Sequence, residues 1–174
     1  MRDHRPRFRL FPATALFALS LSCGSGDGTN APADGVPVPD ELVGTWRFEE
    51  ILDQTCDPDT GLCTPTSAQT ETLALTDGGR FDHVLYAESN FPPCSMVVQH
   101  QSEGTAEVDG STLELHISEG LTRVDNNCGQ SSVTDEAGET DTYTWELTEG
   151  ENGTPQLVLT NENGTALGPF EPQP

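Results

Sequence analysis

From Glu41 to Gly168 the chain alternates apolar and polar residues with a period of two, interrupted by short polar turns. GTWRFEEIL sets Trp46 and Phe48 on one face and Arg47 and Glu49 on the other, and TETLALT repeats the alternation with Leu73 and Leu75. In STLELHIS, Leu113, Leu115 and Ile117 share a face. In DTYTWELTE, Tyr143, Trp145 and Leu147 oppose Thr142, Thr144, Glu146 and Thr148. RFDHVLYAES, SMVVQHQ, GTAEV and PQLVLTN are further extended stretches. A period of two belongs to a strand with one face toward a core and the other toward water. Asp77-Gly78-Gly79, Asp109-Gly110 and Asn152-Gly153 separate these runs and are turn sequences that tolerate the positive φ of tight hairpins. The pattern predicts an all-β domain over residues 41–168, an antiparallel meander of about eight strands with no convincing helix. Such a meander removes its open edges by closing into an up-and-down barrel. The Pro-rich residues 169–174 are expected to be a tail.

The first 40 residues follow another grammar. Arg2, Arg5, Arg7 and Arg9 precede the apolar run LFPATALFALSL, an export signal too short for a membrane span of about 20 residues. The run ends in Ser20-Leu21-Ser22-Cys23, which resembles the bacterial lipoprotein signal. The resemblance implies removal of residues 1–22, a diacylglyceryl group on the Cys23 sulfur and further acylation of the new N-terminus by a palmitate-class chain. Two or three acyl chains, at about 0.8 kcal/mol per buried CH₂, exceed what stable attachment requires. Residues 23–40 contain Gly, Ser, Asp, Asn and Pro without periodicity, and are expected to form a flexible tether reaching ~20–25 Å. The expected address is the cell envelope, lipid-anchored, with the outer membrane as the destination.

Charge narrows the partners. The chain carries 29 acidic residues against seven basic ones, a formal net charge of −22, and beyond residue 22 the cations are Arg47, Arg80 and Arg123 alone. Three scattered arginines make no footprint for a phosphate backbone, so nucleic-acid binding is excluded, as is attraction to anionic lipid. Membrane contact is expected through the N-terminal lipid.

With Cys23 assigned to lipid, Cys56, Cys63, Cys94 and Cys128 remain, an even number in an exported domain. Three connectivities are open. Cys56 and Cys63 flank DPDTGL, whose turn chemistry favours a local bridge, and Cys94 would then join Cys128. Each closure is worth about 2.5–4 kcal/mol in the loop-entropy model. The cysteines lack the C-x-x-C and His spacing of a zinc site.

LVGTWRF, LALTDGGRF, GTAEVDGSTLEL, YTWELTE and LVLT, in that order, resemble the bacterial lipocalin-like domain of small lipoproteins. Gly44-x-Trp46 carries the signature, with Phe48 and Trp145 as core aromatics. The family pairs that Trp with an Arg near the closed end of the barrel, for which Arg123 is the candidate. The resemblance implies a noncatalytic barrel holding one small apolar ligand. An eight-stranded interior is also just filled by its own side chains, and the low apolar content favours that plainer outcome.

No catalytic residues are expected: G-x-S-x-G, H-E-x-x-H and phosphate-cradling glycine loops are all missing. No cofactor or metal centre is expected either. Asp57-x-Asp59-x-Gly61 begins like a calcium loop but has Ala68 where the terminal Glu belongs, and TDEAGETD at 134–141 is an ordinary solvated acidic loop. His83, His100 and His116 fall on separate predicted strands, and His116, alternating with Leu115 and Ile117, should face outward. The alternative to a ligand carrier is a packed barrel serving surface interaction or envelope structure, calcium-assisted at most.

Overall fold

The computed structural model describes residues 37–174, which form nine strands and no helix. The strands are β1 (Gly44–Cys56), β2 (Cys63–Leu75), β3 (Arg80–Phe91), β4 (Cys94–Asp109), β5 (Thr112–Asn126), β6 (Ser132–Asp135), β7 (Thr140–Glu149), β8 (Pro155–Asn161) and β9 (Ala166–Gln173). Each pairs antiparallel with the next, except that β7 bypasses β6 to join β5, and β9 returns to β1. The result is the expected all-β barrel: eight strands close in a ring, and β6 is an extra strand on the upper half of β5. Cys23, the signal peptide and most of the tether lie outside the described residues.

One end of the barrel is plugged. Val38 and Leu42 are buried ahead of β1, the Leu42 N–H donates to the Pro39 carbonyl (2.8 Å), and the Trp46 indole N–H donates to the Leu42 carbonyl (2.9 Å). Gly44, at φ +143°, turns the chain from this plug into β1, a backbone conformation that favours glycine. The tether boundary at Asp40 is therefore corrected: Val38, 4% exposed, already belongs to the core. Above the plug sit Trp46, Leu73, Leu75, Phe81, Leu113 and Leu115, and Phe48 packs on Phe170 with ring centroids 5.7 Å apart. Fully burying each such side chain is worth about 1.5–3 kcal/mol.

Phe170 also corrects the expected tail. Residues 169–173 lie in β9, where Phe170 pairs with Leu157, and Pro172 with Trp46, closing the ring. Pro169 and Pro172 mask this strand in the sequence, because proline cannot donate to a ladder and reads as a breaker.

At the other end the strands overrun the ring. The outer parts of β1 and β2 form a projecting hairpin, exposing Ile51, Leu52 and Leu62 and closed by the Cys56–Cys63 disulfide between residues directly opposite in register. Asp57 Oδ1 shapes its turn by accepting from the Asp59 and Thr60 N–H groups (2.8 and 2.9 Å). Those two bonds hold the Asp57 carboxyl below its usual pKa range. Cys94–Cys128 ties the β3–β4 turn to the segment after β5, so both expected pairings form.

The β4–β5 seam carries a bulge. Glu103 pairs with Glu119 and Gly104 with Ile117, leaving Ser118 as the extra residue. The strands approach so closely there that a Cβ on Gly104 would sit 2.0 Å from the His116 carbonyl oxygen. Gly104→Ala is expected to destabilise the barrel by about 3 kcal/mol or more, measured by urea unfolding. A variant with wild-type stability would show that the seam is not this tight.

Candidate functional site

Alternation and register together define a second, polar layer inside the barrel. Directly opposed residues in antiparallel strands share a face. Phe48, Glu71, Leu85, His100 and Thr122 therefore point inward together, as do Trp46, Leu73, His83, Ser102 and Gly120. Glu71 is in phase with Leu73 and Leu75, and His83 with Phe81, so the strands that bury the apolar core bury these polar groups too. Glu71 is 2% exposed and His83 8%.

Two hydrogen-bonded units meet in this layer. His83 Nε2–H donates to Glu71 Oε1 (2.7 Å). The His83 ring lies 5.0 Å, centroid to centroid, from His100, whose own partners come from β5, the β6–β7 connection and β4 itself. The Thr122 hydroxyl donates to Glu136 Oε1 (2.6 Å), so its lone pairs accept; it shares the His100 Nδ1–H with Glu136 Oε2 (2.9 and 3.0 Å). His100 Nε2 then accepts from the Ser102 hydroxyl (3.0 Å). A neutral ring protonated on Nδ1 satisfies every one of these contacts.

Glu136 reaches inward because the β6–β7 connection is fastened across the bulge. The Glu136 N–H donates to the Gly120 carbonyl (3.0 Å) and the Gly138 N–H to the Ile117 carbonyl (2.8 Å). At Gly120 a Cβ would come within 2.8 Å of Ile117 Cγ2 and 3.2 Å of Glu136 Cβ, so the missing side chain is what admits Glu136.

Electrostatics favour a neutral His100. Burial holds its pKa below the ordinary imidazole value, the His83 ring lowers it further, and Glu136, Asp141 and Glu71 oppose the shift. Burial also pushes the Tyr143 phenol well above its usual range, with Asp141, Glu71 and Glu136 adding to the effect. Glu71 Oε2 and His83 Nδ1 are buried without a hydrogen-bond partner. Chemically, the layer is a proton-holding network beside two free polar atoms, not an apolar lining.

The expected residues distribute as follows. Trp46 and Phe48 are in the core. Trp145 packs partly buried against it, with its indole N–H donating to the Gly110 carbonyl (3.1 Å). Arg123 is exposed on the outer wall, between Gln99 and Val133 in register, and the Trp46 indole is bonded to Leu42; the expected Trp–Arg pair does not form. His116 faces outward as expected, beside Glu107 and Glu114, while His83 and His100 face one another inside. In TDEAGETD, Glu136 is an inward ligand of His100 and Thr122, not a solvated acid. The phase of Glu71, two residues before Leu73, was the sequence signal for the layer.

Removing one member of the buried pair is expected to cost more than removing both. His83→Leu or Glu71→Leu alone leaves a buried polar partner stranded and should destabilise by about 3 kcal/mol or more, with the double variant well short of the sum. Additive losses in urea unfolding would contradict the coupling. Because the His100 pKa is depressed in the folded state, its contribution to stability is complete above the unfolded value of about 6.5 and is lost as pH falls through the folded value. The imidazole titration followed by NMR should therefore place His100 below 6.5, and His100→Gln should flatten the fall in stability between pH 7.5 and 5; a His100 midpoint above 6.5 would overturn this.

No family model, curated protein or solved structure matches this chain.

Proposed function

We propose that the protein is an extracytoplasmic lipoprotein, held in the cell envelope by acyl groups on Cys23, whose barrel works without catalysis as a surface-interaction or structural module. The outer membrane is its proposed address. The observation that carries the choice over an apolar-ligand carrier is the polar layer at mid-barrel. An apolar molecule placed there would lie against Glu71 and His83 and could offer their free polar atoms no hydrogen bond, so the groups at mid-barrel do not favour it. The lower interior is occupied by the barrel's own side chains.

The outer wall supports the interaction reading. Val84, Tyr86, Leu121 and Val133 are exposed on neighbouring strands, and a groove of about 420 Å³ runs beside them past Gln99 and Arg123. The basic head, the short apolar run and the Ser22-Cys23 seam support the anchor.

Radiolabelled palmitate should enter the wild-type protein and be absent from Cys23→Ser; label persisting in the variant would refute the anchor. Native mass spectra of Cys23→Ser should give the bare chain mass across several preparations, whereas a recurrent co-purified lipid would restore the ligand-carrier reading.

A further inference from the structure

We propose that Glu107, Glu114 and His116 form a site for a divalent cation of the zinc class on the outer wall of the barrel. The three residues come from adjacent strands and share the outward face. Glu107 on β4 lies directly opposite Glu114 on β5, and His116 follows Glu114 by two residues, opposite Thr105 and Thr140. One ligand atom from each residue lies within 4.8 Å of the other two.

The spacing is informative. His116 Nε2 is 3.9 Å from Glu107 Oε1 and 3.8 Å from Glu114 Oε2, too far for a hydrogen bond to either. Ligand atoms bound at about 2.0–2.2 Å around a tetrahedral zinc ion are themselves about 3.4 Å apart. The two His116–carboxylate gaps thus need to close by a few tenths of an ångström, and the two carboxylate oxygens, within 4.8 Å of each other, need to draw together to seat an ion among the three. His116 is already oriented for this: its Nδ1 lies 3.0 Å from Thr140 Oγ1, a side chain outside the trio, so the ring presents Nε2 to the carboxylates. An outer partner on the second ring nitrogen is a usual feature of metal-bound histidine.

Charge points the same way. Like charges directly opposite in a sheet repel one another. Among the described residues the ion-pair contacts of Glu107 and Glu114 are with His116 alone. A divalent cation would neutralise the pair in a chain whose formal net charge is −22. The donor set chooses the metal: one imidazole nitrogen with two carboxylates suits zinc, whereas calcium takes six to eight oxygens and does not seek imidazole. Three protein ligands also leave a coordination position open to water or to a donor from another molecule.

The test is zinc titration of the untagged, purified full chain, by calorimetry and by NMR of the histidine ring nitrogens. One equivalent of zinc should bind in the micromolar range and shift His116 Nε2, with His83 and His100 unmoved. His116→Ala, and separately the Glu107→Gln/Glu114→Gln double variant, should weaken binding at least tenfold while keeping the wild-type melting temperature without metal. Asp57→Asn should bind as wild type, and millimolar calcium should not displace the zinc. The proposal is overturned if zinc does not bind, if affinity survives in His116→Ala, if the interior histidines respond instead, or if calcium competes on equal terms.

Discussion

The interior of this barrel depends on one close backbone approach, that of β4 to β5 at Gly104. The seam must close the ring while β5 serves two neighbours, β7 along its lower part and β6 above. The extra residue Ser118 lets that happen. Below it Leu113, Leu115 and Ile117 face the core, and above it Gly120 and Thr122 do so too, although strict alternation from Ile117 would have turned them out. Without this reset of phase, Thr122 would point to solvent and Glu136 would have no inward partner. The bulge thus determines both closure and the content of the upper interior.

That content runs against the economy of a packed core. Apolar side chains in place of Glu71 and His83 would fill the space without desolvating a charge, and buried ion pairs are weak contributors to stability. The barrel instead ties β2 to β3, and β4 to β5 and the β6–β7 connection, through directional bonds. Each bond fixes a register that apolar packing would leave freer to slip. The layer also fits the proposed role: a barrel that presents its wall gains from a rigid interior and needs no cavity.

Much of the barrel was legible in the sequence because alternation and turn chemistry are local. Leu73, Leu75 and Tyr143 announce their strands, and the DPDTGL turn announces the Cys56–Cys63 bridge. What was hidden depended on pairing. β9 was obscured by Pro169 and Pro172 at positions whose tolerance depends on which edge faces a neighbour. Val38 looked like tether because its burial requires a barrel end to plug. Glu71, His83 and His100 sit on three strands, and only their register brings them into one layer; Glu136 needs the bulge as well. The outward direction of His116 was readable from its neighbours, whereas its proximity to Glu107 came from β4–β5 pairing.

The two disulfides lie at the same end of the molecule, beyond the polar layer, on the parts of the strands that overrun the ring. The opposite end is held by the plug and its apolar contacts, which no reductant touches. Local opening is therefore polarised: loss of the bridges frays the protein from the hairpin end inward, and backbone amides near the plug exchange last. On β2 this route passes the unpartnered Thr66 hydroxyl and the buried Ser67 before it reaches the unpartnered atoms of Glu71 and His83. Hydrating them removes a cost of the folded state, so the upper barrel can breathe as a unit while the lower barrel stays closed.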